Sequence, residues 1–187
     1  MIMRKTAVLD ACVLYSAPLR DFLLYLGRGK LYEPKWTTRI HEEWIRNLSA
    51  NRPDLKKESF RKTRKLMDTI FPDALIIGFE EEETSVELPD LKDTHVLAAA
   101  IKSKAKYIVT YNVRDFPARY LQKYKIKAIN PDEFILMLIH ENPVKAITTF
   151  QQQLDNLTNP PISQEEMLEM FRKIKLSNTA NLLDKLL

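Results

Sequence analysis

Four short stretches of the chain are apolar without helical or alternating spacing: Thr6-Ala-Val-Leu-Asp10, Ala74-Leu-Ile-Ile77, Tyr107-Ile-Val-Thr110 and, more weakly, Ile126-Lys-Ala-Ile129. A strand covered on both faces takes this form, so each predicts a buried strand. Between them the apolar positions recur every three to four residues, which predicts helices over 19–26, 37–48, 53–70 and 93–104. Ile40, Trp44 and Leu48 form one stripe, and Phe60, Thr63, Met67 and Ile70 a second inward face opposite Lys57, Arg61, Arg64 and Lys65. Asn130-Pro-Asp-Glu133 opens a fifth helix with a cap residue, a proline in the first turn and two acids.

Strands alternating with helices imply a mostly parallel sheet sandwiched between helices. After Asn142-Pro143 the pattern is helical only, broken at Asn159-Pro-Pro-Ile-Ser163 and resumed by the capping box Ser163-x-x-Glu166. The expected organisation is therefore a first domain over 1–142 and a helical extension over 143–187. The extension should pack on the core or a second copy, because Leu168, Phe171, Ile174, Leu182 and Leu183 need cover. Glu80 to Glu83 read as a solvated loop.

Composition narrows the chemistry. Hydrophobic residues are 45% and charged residues 29% of 187, a globular mixture that excludes a disordered chain. With only 3 glycines, at 27, 29 and 78, no glycine-rich phosphate loop can be written. The single cysteine, Cys12, excludes an internal disulfide framework and suits a reducing cytosol. No apolar run approaches the roughly 18 residues of a membrane span, and Asp10 interrupts the N-terminal run, so a soluble cytoplasmic protein is expected, with no membrane partner.

The net charge of +4 lies wholly before Pro143, since five basic and five acidic residues balance after it. Between residues 46 and 65 stand eight basic and two acidic side chains, either a solvated helix face or a grip on an RNA backbone.

Acids gather where an open parallel sheet builds its sites, beyond the carboxyl ends of its strands. Asp10 closes the first strand, Asp90 and Asp93 precede the alanine-rich helix, Asp115 follows the strand at 107–110, and Glu43 borders a buried stripe. Clustered carboxylates raise one another's pKa unless a cation sits between them, and a hard divalent ion such as Mg²⁺ or Mn²⁺ suits an all-oxygen donor set. His41, His95 and His140 share no ligand spacing. A haloacid-type phosphatase needs a second aspartate two residues after the first, and Cys12 occupies that place. Cys12 itself reads as a small core residue, and Trp36 and Trp44 as core aromatics.

These motifs resemble the PIN-domain nucleases. Ala7-Val-Leu-Asp-Ala-Cys-Val-Leu-Tyr-Ser16 is similar to their first strand and aspartate, and Ile40-His-Glu-Glu-Trp-Ile-Arg-Asn-Leu48 to the helix with their glutamate, where Glu43 matches better than Glu42. Leu88 to Ala100 resembles the third acidic motif and Ala105 to Phe116 the fourth. The resemblance implies a three-layer α/β/α fold around a central parallel sheet of four or five strands and a metal-dependent endoribonuclease site. Asp10, Glu43, Asp93 and Asp115 would be its carboxylates, and Asp90 an additional metal ligand. Thr110 and Asn112 would line the pocket and orient the ligands; Arg39, Arg46 and Arg114, close in sequence to them, would hold the scissile phosphate of an RNA substrate. The position two after the first aspartate, often asparagine or serine in the family, is Cys12.

Many members are VapC-type toxins, usually dimeric and inhibited by a small antitoxin, which makes a toxin of a toxin-antitoxin pair the leading expectation. A nuclease of RNA processing and a catalytically silent domain binding RNA or protein are the alternatives.

Overall fold

The computed structural model describes residues 5–187, so the first four residues of the expected first domain lie outside it. Along the chain run β1 (Lys5–Leu9), α1 (Ala11–Leu14), α2 (Ala17–Arg28), β2 (Tyr32–Lys35), α3 (Thr38–Asn51), α4 (Lys57–Ile70), α5 (Glu80–Ser85), α6 (Thr94–Lys102), β3 (Tyr107–Val109), α7 (Ala118–Leu121), β4 (Lys127–Ile129), α8 (Pro131–Glu141), α9 (Pro143–Asp155), α10 (Gln164–Lys173) and α11 (Ser177–Leu186). The four strands form one parallel sheet in the order β2-β1-β3-β4, flanked by helices. Val8 lies opposite Ile108, and Ile108 opposite Ala128. Ala7, Val8, Leu9, Ile108 and Val109 are fully buried, which is why their stretches are apolar without alternation. Among the described residues no helix is long and apolar enough to cross a membrane.

Two strand expectations need correction. Tyr32–Lys35 is a strand that no pattern announced, since Glu33 and Pro34 interrupt it; proline is tolerated because β2 is the edge strand. Ala74 to Ile77, read as a strand, makes only one isolated bridge, Leu75 to Trp36, through Trp36 N to Ala74 O (3.0 Å) and Ile76 N to Trp36 O (2.8 Å). It stops there because Ile77 is 75% exposed and Gly78 turns the chain at φ 67°.

Helix ends shift as well. Residues 53–56 precede α4, and Ile70, expected inward, is 43% exposed at its last turn. Glu80 to Glu83 are not a solvated loop. They form α5, which packs on α6, with Glu82 Oε1 3.3 Å from Lys102 Nζ and Glu83 Oε1 2.6 Å from Arg39 Nη1.

A polar chain joins α3 to α4 and to the end of β2. Trp44 Nε1 donates to His41 Nδ1 (3.0 Å), while His41 Nε2 lies 3.2 Å from Asp68 Oδ1, which also accepts from Trp36 Nε1 (2.8 Å). With Nδ1 accepting, the proton of neutral His41 sits on Nε2 and points at the carboxylate. Both indoles and His41 are fully buried, so each of these bonds satisfies a group that water cannot reach. Burial lowers the His41 pKa to about 4, only partly offset by Asp68.

The last helices belong to the same core. Phe150 of α9 and Phe171 of α10 pack against Phe22 of α2 with ring centroids 5.8 and 5.3 Å away. Asp132, 7% exposed in the first turn of α8, caps α11: its carboxylate accepts from the Thr179 amide (2.8 Å), the Asn178 amide (3.2 Å) and Asn178 Nδ2 (3.0 Å). A carboxylate there also complements the helix dipole.

Asp132→Ala strands the buried Thr179 amide and frees the part-buried amide of Asn178, and is expected to cost about 1–3 kcal/mol; a urea midpoint equal to wild type would contradict the cap's role. A second outcome concerns pH. Because folded His41 holds its proton less well than the unfolded value of 6.5, its stabilising effect is complete above about pH 6.5 and fades as pH falls toward 4, on the order of 3 kcal/mol in all. Asp93, whose folded pKa is raised, contributes a slope of opposite sign, so the measurement is a difference: His41→Gln should flatten the loss of stability between pH 6.5 and 4 relative to wild type.

Candidate acidic active site

Asp10 is the first residue after β1 and the cap of α1, placed where the carboxyl ends of β1 and β3 lie side by side. Both of its carboxylate oxygens accept hydrogen bonds from the protein. Oδ1 accepts from the Ala11 amide (2.7 Å), and Oδ2 from the Thr110 hydroxyl (2.7 Å) and the Cys12 thiol (3.1 Å). Thr110, which ends the β3 stretch and is fully buried, takes the Asn112 amide on its hydroxyl oxygen (3.0 Å), which directs its proton to Asp10. The Cys12 sulfur takes the Tyr111 amide (3.3 Å), and the Tyr111 hydroxyl donates to the Ile174 carbonyl at the end of α10 (2.6 Å). The C-terminal helices thus brace the loop that braces Asp10.

Cys12, read as a small core residue, is partly buried and packs against the core, and in addition its thiol donates to the Asp10 carboxylate. Burial, reinforced by the charge of Asp10, pushes its pKa up to about 12, so at neutral pH it is a thiol and not a nucleophilic thiolate.

Asp93, in the one-turn 3₁₀ segment Leu91–Asp93 before α6, has its pKa pushed up to about 6, first by burial and then by the charges of Asp10, Asp90 and Asp115, with His95 acting the other way. Four aspartates from three separate stretches are thus within electrostatic reach of one another. None of them is in an ion pair among the described residues. Asp90 is exposed and accepts from the Lys92 amide (2.9 Å), capping the segment that carries Asp93; Asp115 ends a second 3₁₀ segment, Val113–Asp115, half-buried.

Glu43 joins from α3. It is half-buried, its Oε1 3.0 Å from Nε2 of His95, whereas Glu42 is exposed. The contact is at ion-pair distance but without hydrogen-bond alignment, and neither ring nitrogen of His95, 1% exposed, has a hydrogen-bond partner. Spacing among the histidines does not single out His95; its place two residues after Asp93 is the sequence signal that does. The arginines divide: Arg39 is engaged by Glu83 (2.6 Å), Arg46 faces a groove between α3 and α4, and Arg114 is exposed in the turn between Asn112 and Asp115.

The donor set is hard carboxylate oxygen, and Asp93 is raised by burial and then by the like charges of its neighbours, so the site suits a hard divalent cation. Among the described residues no three His, Cys, Asp or Glu side chains stand close enough to ligate one ion together. Mg²⁺ does not require three, since it commonly binds through one or two carboxylates and keeps waters in its other positions.

A family model described as "PIN domain" matches residues 6–114, more than half of the chain and every one of these acids except Asp115. The chain belongs to the PIN-domain family. A second model, "VapC50 C-terminal domain", matches residues 131–185. The chain is also similar to the "Putative ribonuclease VapC50" of Mycobacterium tuberculosis (strain ATCC 25618 / H37Rv), 39% identical over 80 residues, or 42% of this chain and 46% of that protein. The matched part thus spans under half the length of that relative. The PIN fold explains why the acids, distant in sequence, share one edge of the sheet: three of their four stretches leave β1 or β3 or lead into the helix between them.

The raised thiol pKa has a measurable consequence. In native protein at pH 8, Cys12 should react with iodoacetamide roughly 100-fold or more slowly than a free cysteine, and at the ordinary rate in denaturant. Equal rates in both states would mean the thiol is not held as described.

Proposed function

We propose that the protein is a metal-dependent endoribonuclease that hydrolyses RNA phosphodiester bonds at the edge formed by Asp10, Glu43, Asp93 and Asp115. The observation that carries the proposal is the gathering of Asp10, Asp90, Asp93 and Asp115 with no ion-pair partner among the described residues, close enough that the other three add to burial in raising Asp93. The PIN-domain match and the similarity to a protein named as a ribonuclease support the same reading.

Asp10, Asp90, Asp93 and Asp115 would hold one or two Mg²⁺ or Mn²⁺ ions. Such an ion supplies Lewis-acid activation of water and neutralises charge at the phosphate. The protein's own part is geometric. Thr110 and Cys12 occupy Oδ2 of Asp10 and the Ala11 amide occupies Oδ1, so the carboxylate cannot rotate and its outward lone pairs stay fixed. Asn112 fixes the Thr110 proton through its backbone. Glu43, backed by His95, is the acid best placed to accept a proton from an attacking water, and Glu42, turned to solvent, is not. Arg114 is exposed beside Asp115 and free of ion pairs among the described residues, suited to the scissile phosphate; Arg39 would first have to leave Glu83.

Within this reading the protein is the toxin of a toxin-antitoxin pair in the cytoplasm, acting as a homodimer with a small antitoxin as inhibitor. Residues 1–142 form the nuclease domain, and the extension at 143–187 braces its loop through Tyr111.

Purified protein incubated with structured RNA and Mg²⁺ or Mn²⁺ should cleave it, and Asp10→Asn or Asp93→Asn should lower the rate roughly 100-fold or more, as should EDTA. Cleavage that survives either substitution or the chelator would sink the assignment.

A further inference from the structure

The helices α3 and α4 enclose an open groove of about 590 Å³ whose walls carry Arg46 from one side and Lys57, Arg61 and Arg64 from the other, with Glu42 as its one acid. Lys57, Arg61 and Arg64 follow one another at four and three residues, so they stand on one face of α4. The strip continues past the groove along Arg61, Arg64 and Lys65. Of the four groove cations, two are unpaired among the described residues and the other two are held only at long range by acids. Arg46 and Lys57 form no ion pair among the described residues, Arg61 reaches Glu58 only at 3.5 Å, and Arg64 stands 3.7 Å from Asp68. The Ser49 hydroxyl, which also lines the groove, is shielded from solvent yet has no hydrogen-bond partner.

Orientation links the groove to the acids. Arg46 lies one turn along α3 from Glu43, an axial step of about 4.5 Å. A ligand lying in the groove and followed toward the start of α3 therefore passes the turn that carries Glu43.

We propose that this groove is the track that holds the sugar-phosphate backbone of single-stranded RNA as the strand enters the acidic site. The inference rests on the nuclease reading and adds where the substrate lies. A line of cations with one acid and only Ile45 and Ala50 as apolar lining fits a chain of evenly spaced phosphates. An acidic protein segment would need side-chain pockets to be held in register, and Ile45 and Ala50 offer little of that. The α3–α4 polar chain through His41 and Asp68 keeps the two walls at a fixed separation.

The test measures binding, not cleavage. In an Asp10→Asn background, the affinity of a fluorescent single-stranded RNA is followed by anisotropy between low and moderate salt. Adding Lys57→Ala and Arg61→Ala should weaken binding at low salt by about tenfold or more and make the slope of log K against log salt shallower by about 1.4, the share of two phosphate contacts to a single strand. Lys62→Ala with Lys145→Ala removes equal charge outside the groove and should leave the slope near that of its parent. Circular dichroism establishes that both pairs are folded. The proposal is overturned by a parent that does not bind RNA, by a slope the groove pair leaves unchanged, or by equal losses in both pairs. It is overturned in favour of an acidic protein partner if the groove pair keeps RNA affinity but loses poly-glutamate binding. Failure of the nuclease reading would show separately, as absence of metal-dependent cleavage by wild type.

Discussion

Four aspartates held near one another at the open edge of a parallel sheet repel, and nothing about them individually is stable. Asp93 records the cost, with its carboxyl raised to about 6 by burial and by three like charges. What holds them there is the backbone: Asp10 follows β1, Asp115 lies in the turn that follows β3, and the pairing of Leu9 with Val109 sets those two stretches side by side. The sheet in turn is held by the burial of Ala7, Val8, Leu9, Ile108 and Val109. Hydrophobic burial of a few strand residues, at roughly 25 cal/mol per Å², thus supports a charge arrangement that would disperse in a flexible chain.

Around this centre the polar contacts are arranged to restrict one carboxylate. Thr110, Cys12 and the Ala11 amide hold Asp10, Tyr111 holds Cys12, and Ile174 holds Tyr111. The chain of contacts ends on the C-terminal helices, which are themselves clamped by Asp132 at the start of α11 and by the cluster of Phe22, Phe150 and Phe171. The extension therefore has a physical connection to the proposed catalytic edge, although it supplies no acid to it. On the other side, His95 touches Glu43 and weighs on Asp93, so α3 and α6 meet at the same edge.

The proposed site is acidic and its proposed approach basic. In a free helix the charges of α4 would face water on all sides. Here the Trp44-His41-Asp68-Trp36 chain fixes α4 against α3, and a solvated face becomes one wall of a groove.

How far the sequence reaches is visible in particular elements. Three of the four strands and the long helices were legible because apolar runs and three-to-four spacing are local signals of burial. The chain order of the acids and their position after strands were legible for the same reason. The edge strand Tyr32–Lys35 was not, because an edge tolerates Glu33 and Pro34 and so loses the apolar signature. Ala74 to Ile77 kept that signature but pairs only at Leu75 before Gly78 turns the chain away, and Glu80 to Glu83 form a helix with Lys102 and Arg39 across from it. The roles of Cys12 and His95 depend on partners 98 residues away at Thr110 and on another helix at Glu43. Residue types and periodicity by themselves determined the class of fold and which acids stand at strand ends. Only tertiary packing decided which oxygen each neighbour touches and which charges are left unpaired, because those depend on distances between segments that no local pattern encodes.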